Sequence, residues 1–107
     1  MFGNEDNRTP RSDILEIAYK AVCADRNDSY GSPEDNFATI ADLWSIYLDR
    51  QVAPRDVAVM MVLLKVARVR KGKSIDSWID IAGYAACGGE LDLLVEEMRR
   101  EHEPIDD

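Results

Sequence analysis

Eight consecutive residues, Val57-Ala-Val-Met-Met-Val-Leu-Leu64, carry no polar side chain, and they constrain this chain more than any other stretch. A segment apolar on every side has no face to offer to water, so it is expected to be a buried central element. A strand of that composition is conceivable. The length of the pattern around it, its two methionines and an exit through Lys71-Gly72 favour a helix ended by a tight turn at Gly72. In a chain of 107 residues, one such helix with others packed around it predicts a single all-α domain.

The flanking segments read as those other helices. Residues 1–9 are polar and are expected to form a flexible tail, as are residues 103–107; the helical domain spans 10–102. A first helix starts with Thr9 as cap and Pro10 in its first turn, or with Ser12 as cap, and carries the stripe Ile14, Leu15, Ala18, Val22 toward an end near Arg26. In the second, Ser32-Pro33-Glu34-Asp35 is a strong start signal. Phe37, Ile40, Ala41, Trp44 and Leu48 follow on one face. After the central helix another begins at Ser74 or Asp76, with Ile75, Trp78, Ile79, Ala82, Ala85 and Ala86 as its apolar face. Beyond Gly88-Gly89 the apolar residues Leu91, Leu94, Val95 and Met98 shift to nearly the opposite side. Either the glycines divide two helices, or one helix packs its halves against different partners, a second subunit among them.

Charge and composition exclude several functions. With 13 basic and 21 acidic residues, net −8, the chain lacks the basic surface that nucleic-acid backbones select, so stable DNA or RNA binding is not expected. No segment reaches membrane-spanning length and no leader is evident, which predicts no membrane association and a cytoplasmic location, that of the host if the protein is viral. Cys23 and Cys87 lie inside helical patterns, outside any CxxC spacing, and are expected to be buried thiols. His102 is the sole histidine and sits in a charged terminal segment, so no histidine-dependent dyad is available. Chemistry, if any, rests on carboxylates with a metal, on Lys/Arg and on tyrosine.

Those residues gather between Lys65 and Tyr84. Arg68 continues the i, i+4, i+7, i+11 line of Val57, Met61 and Leu64, so it is expected to leave from a core-facing stripe, with Lys65 about 60° away. A buried charge needs a partner or solvent. Lys65 and Arg68 therefore either meet carboxylates or a ligand phosphate, or snorkel to water from the last turns, where cations suit the helix dipole. Asp76 and Asp80, one turn apart, repel unless a cation lies near, whether Lys65, Arg68, Lys73 or a metal. A solvated face is the alternative. Glu34 projects beside the apolar stripe of its helix and is either a groove residue or a solvated first-turn glutamate.

The order Asp25-Arg26, Tyr30-Gly31, Phe37, Ile40-Ala41, Trp44, Lys65-Val-Ala-Arg68, Asp76 and Asp80-Ile-Ala-Gly-Tyr84 resembles a family of short phage and prophage proteins of unknown function, over roughly residues 20–90. The same skeleton is similar to nucleotide-modification-associated phage domains, and more distantly to all-α nucleoside triphosphate pyrophosphohydrolases of the MazG and dimeric dUTPase type. The resemblance implies a MazG-like bundle of four to five helices, oligomeric, that takes a nucleotide or nucleotide-like phosphate and uses Mg2+ to cleave a triphosphate to monophosphate and pyrophosphate. It assigns Asp80 and Asp76 to catalysis and, with Glu34, to the metal; Lys65 and Arg68 to phosphates; Tyr30 and Tyr84 to the nucleotide. Trp44 could also stack a base, although on its clean apolar face it reads as core.

The departure from those hydrolases is substantial. Lys65 and Arg68 stand where their first acidic pair lies, Ser77 replaces a second-motif glutamate, and of their carboxylates only Asp80 matches outright. The implied site is more positive than theirs, and loss of hydrolysis is an equal outcome, so the alternative to a hydrolase is a non-catalytic accessory factor that binds a nucleotide or a protein.

Overall fold

The computed structural model describes residues 8–25 and 32–102. Among them are four α-helices, a π-helical segment and no strand, in agreement with an all-α chain. Helix α1 (Pro10–Tyr19) runs into the π-helical segment Lys20–Asp25; α2 is Pro33–Leu48, α3 is Pro54–Arg70 and α4 is Ile75–Glu101.

The helix starts follow local chemistry. Thr9 Oγ1 accepts the Ser12 amide at 3.2 Å while Ser12 Oγ accepts that of Thr9 at 3.0 Å, which settles the first cap in favour of Thr9. Ser32 accepts from Asp35 N at 3.3 Å at the start of α2. The α2–α3 turn is held by Asp49 in the left-handed region (φ 53°) and by Ser45 Oγ, which accepts the Val52 amide at 2.9 Å. Ahead of α4, Ser74 rather than Asp76 is the cap, accepting from Ser77 N at 3.2 Å.

Gly88-Gly89 does not interrupt α4, which continues as one helix for 27 residues. The expectation that α3 would be the central helix is corrected: α4 packs against α1, α2 and α3, whereas α3 meets only α2 and α4 among the principal contacts. The core is Phe37 and Ala41 from α2, Val57 and Ala58 from α3, and Cys87 and Leu91 from α4. Ile40, Trp44, Met61 and Tyr84 pack around it, so Trp44 belongs to the core margin.

Three sequence expectations about faces are overturned. First, α3 is not buried all round: Val57 and Ala58 are buried, but Val59, Met60, Leu63, Leu64 and Val66 are substantially exposed. Second, the stripe Val57, Met61, Leu64, Arg68 is not the buried one. The half-buried positions Met61, Val62, Lys65 and Val69 turn the inward face by roughly 80° from Val57, which carries Lys65 inward and leaves Arg68 exposed. Third, α4 buries Ser77, Gly83, Cys87 and Leu91, with Asp80 and Tyr84 on the same side, while Ile75 and Trp78 face outward. Small residues decide this last case. A Cβ on Gly83 would stand 3.1 Å from Val22 Cγ1, and one on Gly88 3.2 Å from Ala58 Cβ, so neighbouring backbones approach α4 on its small and polar side rather than its apolar one. Finally, Cys87 is buried as expected but Cys23 is exposed, because the π-helical turn rotates it off the stripe of α1.

Candidate functional site

The line Asp80, Tyr84, Cys87, Leu91 advances along α4 at i, i+4, i+7, i+11 and faces α3 and α2. Asp80 therefore meets α3, from which Lys65 reaches across: its Nζ lies 3.0 Å from Asp80 Oδ2. The Lys65 side chain is 17% exposed and that of Asp80 42%, so the cation is largely desolvated along its stem while the carboxylate keeps an open side. Of the candidate cations for the Asp76/Asp80 pair, Lys65 is the one in contact. Asp76, at the first turn of α4, is exposed, as are Arg68, Lys71 and Lys73 around the α3–α4 turn. Among the described residues none of these three cations makes an ion pair within 4 Å.

One turn beyond Asp80, the Tyr84 ring is tilted by 30° against Phe37 of α2, centroid to centroid 6.2 Å. This packing half-buries Tyr84. Tyr30 lies outside the described residues. Glu34, in the first turn of α2, is not directed at Asp80 but hydrogen-bonds Glu90 of α4, ten residues or about 15 Å further along that helix. The structure thus unites Lys65 with Asp80 and Glu34 with Glu90, and leaves Arg68 and Asp76 to solvent. No group of three or more His, Cys, Asp or Glu arranged to hold a metal occurs among the described residues.

Glu90 was not singled out by the sequence. Gly83 and Gly88 mark where Val22 and Ala58 approach α4, but no sequence signal directed α2 to Glu90. The contact shifts both acids. The hydrogen bond from Glu90 holds the Glu34 carboxyl below the usual range, helped by its own backbone amide and Ser32; the same bond, with desolvation and the Glu34 charge, raises Glu90. Glu34, with its pKa lowered on folding, contributes stability above its unfolded value and loses it as pH falls through the folded one. Glu90, raised, contributes below its unfolded value and loses it as pH rises through the folded one. Once pH has risen through the raised Glu90 value the shared proton is gone and the two carboxylates repel. Glu90→Gln, which donates an amide N–H to Glu34 at every pH, is expected to stabilise the fold at pH 7 by only a few tenths of a kcal/mol, given the solvent exposure of the pair. The gain should vanish near pH 4, as read by urea denaturation at both pH values; equal effects at both would remove the shared-proton account.

On the other side of Tyr84 a cavity of about 210 Å³ is lined by Arg55, Ala58, Val62, Tyr84, Gly88 and Asp92, among others, and is spanned by the Arg55 Nε to Asp92 Oδ1 contact of 2.7 Å. It is smaller than the roughly 300 Å³ at which ligand pockets begin.

This helical frame, in which Lys65 of α3 is paired with Asp80 of α4, is that of a small all-α domain. The chain belongs to the family described as Domain of unknown function (DUF6378), which it matches over residues 13–92. Among its curated relatives, the Gene 55 protein of Mycobacterium phage D29 is 47% identical over 75 residues, covering 69% of this chain and 50% of that protein. The Gene 55 protein of Mycobacterium phage L5 is 40% identical over 86 residues, 78% of this chain and 55% of that protein. The chain therefore spans about half the length of these relatives. No solved structure matches it. Among the described residues no helix is long and apolar enough to cross a membrane.

Proposed function

We propose that this chain is a phage accessory protein that binds a nucleotide or nucleotide-like phosphate at the α3–α4 hairpin, in the host cytoplasm. The observation that carries the reading is Lys65 Nζ at 3.0 Å from Asp80 Oδ2. In the hydrolases that the sequence resembles, that position on the central helix holds an acidic metal ligand; here it holds a cation that already compensates Asp80. With Arg68, Lys71 and Lys73 exposed at the same end, an acidic protein concentrates positive charge where a triphosphate would sit. Lys65 and Arg68 take the phosphates, Asp80 orients Lys65, and Tyr84, supported by Phe37, offers a ring edge to the base. Binding without turnover is the role this charge arrangement favours.

A second reading is magnesium-dependent pyrophosphohydrolysis. It draws support from the 42% exposure of the Asp80 carboxylate and from exposed Asp76 one turn away, to which a metal could attach, with Glu34 too remote along α4 to complete that pair within one chain. Titration calorimetry with a panel of deoxynucleoside triphosphates, with and without Mg2+, separates the two when combined with an assay for released pyrophosphate. The expected outcome is binding that Arg68→Ala weakens at least tenfold, with no pyrophosphate above an Asp80→Ala control. Pyrophosphate release abolished by Asp80→Ala would select hydrolysis, and absence of any triphosphate binding would sink both.

A further inference from the structure

We infer that the outer face of α3 is the two-fold interface of a homodimer, in which α3 of one copy lies antiparallel to α3 of the other with Leu63 at the centre. This stands apart from the phosphate reading and rests on different residues. Leu63 lies about 160° around the helix from inward-facing Lys65 and is 60% exposed, flanked by exposed Val59, Met60 and Val66. A water-facing side composed of such residues, with the opposite side already packed in the core, calls for a covering surface.

The sequence on this face identifies a second copy as the occupant. Around Leu63 the positions are balanced: Met60 and Val66 lie three residues to either side, Val59 and Ala67 four, Asp56 and Arg70 seven. All but Val59, which lies at the edge of this face and also lines the α3–α4 cavity, project from the side of α3 that faces away from α4. An antiparallel two-fold pairing therefore sets apolar against apolar through the middle and places Asp56 of each copy opposite the partner's Arg70 at both ends, using one patch twice as an isologous interface requires. Asp56 spends Oδ2 on the Ala53 amide at 2.9 Å, and among the described residues its Oδ1 meets Arg55 alone, at 3.9 Å. Arg70 is exposed and makes no ion pair among the described residues. An anionic lipid surface is a poorer occupant for a chain of net charge −8, and an unrelated helix would have no reason to match this symmetry.

The test is sedimentation velocity on the full chain together with directed cross-linking. The native protein is expected to sediment as a dimer at micromolar concentration. Leu63→Glu should sediment as a monomer with unchanged helical circular dichroism, and Arg70→Glu should weaken the dimer at least tenfold. In a Cys23→Ser background, which removes the exposed native thiol, Leu63→Cys should form a covalent dimer under mild oxidation because the two-fold axis brings residue 63 onto itself. Should Leu63→Glu fail to fold, the cross-link still decides. A monomeric native chain at tens of micromolar, a dimer indifferent to Leu63→Glu, or no cross-link from Leu63→Cys in a dimeric sample would each overturn the inference.

Discussion

Phe37→Ala is expected to lower stability by about 3–5 kcal/mol, the range for removing a phenylalanine from a packed core. Phe37 is 7% exposed and is the large aromatic through which α2 reaches both the core and Tyr84. Its loss leaves a void at the junction of three helices and strips the support from the Tyr84 ring, and Ala41 and Ala58 nearby are too small to close the gap. For a domain whose whole stability is of the order of 5–15 kcal/mol, this is a large fraction, and it corresponds to a fall in Tm of more than about 10 °C. Urea denaturation followed by helical circular dichroism measures it. Tyr47→Ala on the same helix is the control, since Tyr47 is 88% exposed and its replacement should stay within about 0.5 kcal/mol in the monomer. A loss below about 1 kcal/mol for Phe37→Ala would mean that the crossing of α2 over α4 does not hold this fold together.

The two adjacent glycines of α4 are expected to respond with opposite sign. At Gly88 an added Cβ would lie 3.2 Å from the Ala58 Cβ, an atom fixed to the backbone of α3 that can retreat only if the helices separate. Helix separation loosens Val57, Ala58 and Cys87 together, so overpacking of about 1–3 kcal/mol should outweigh the improvement in helix propensity of up to about 1 kcal/mol. At Gly89 an added Cβ meets nothing within 4 Å, and only the propensity gain remains, so Gly89→Ala should stabilise by about 0.5–1 kcal/mol. Chemical denaturation of the two single variants checks both signs. Stabilisation by both would show that the α3–α4 crossing is soft, and destabilisation by both would point to a requirement at Gly89 beyond this chain.

The candidate site was only partly legible in the sequence. That Lys65 was one of a few cations able to sit by Asp80 followed from the cost of like charges one turn apart. That it was Lys65 and not Arg68 did not, because the wheel of α3 has apolar residues in almost every direction and so carries no information about which way is inward. The same ambiguity placed Arg68 toward the core when it is exposed. Glu34 was marked as a first-turn acid, but its partner Glu90 depends on the angle at which α2 crosses α4, a quantity that periodicity within single helices does not encode.

By itself the sequence determined the all-α class, the caps at Thr9 and Ser32, the core residues Phe37 and Ala41 on α2 and the kinship to a phage family. These are local or pattern-level properties, set by capping chemistry and by the spacing of residues along one element. Tertiary structure alone decided which side of α3 and α4 is inside. On α4 the apolar face Ile75 and Trp78 turns outward, because the glycines at 83 and 88 and the small residues around them let α3 and the α1 segment approach more closely on the other side. The choice between a wide apolar face and a close-packed one is made between helices, where backbone distance sets the number of contacts, and single-helix hydrophobicity does not measure that distance.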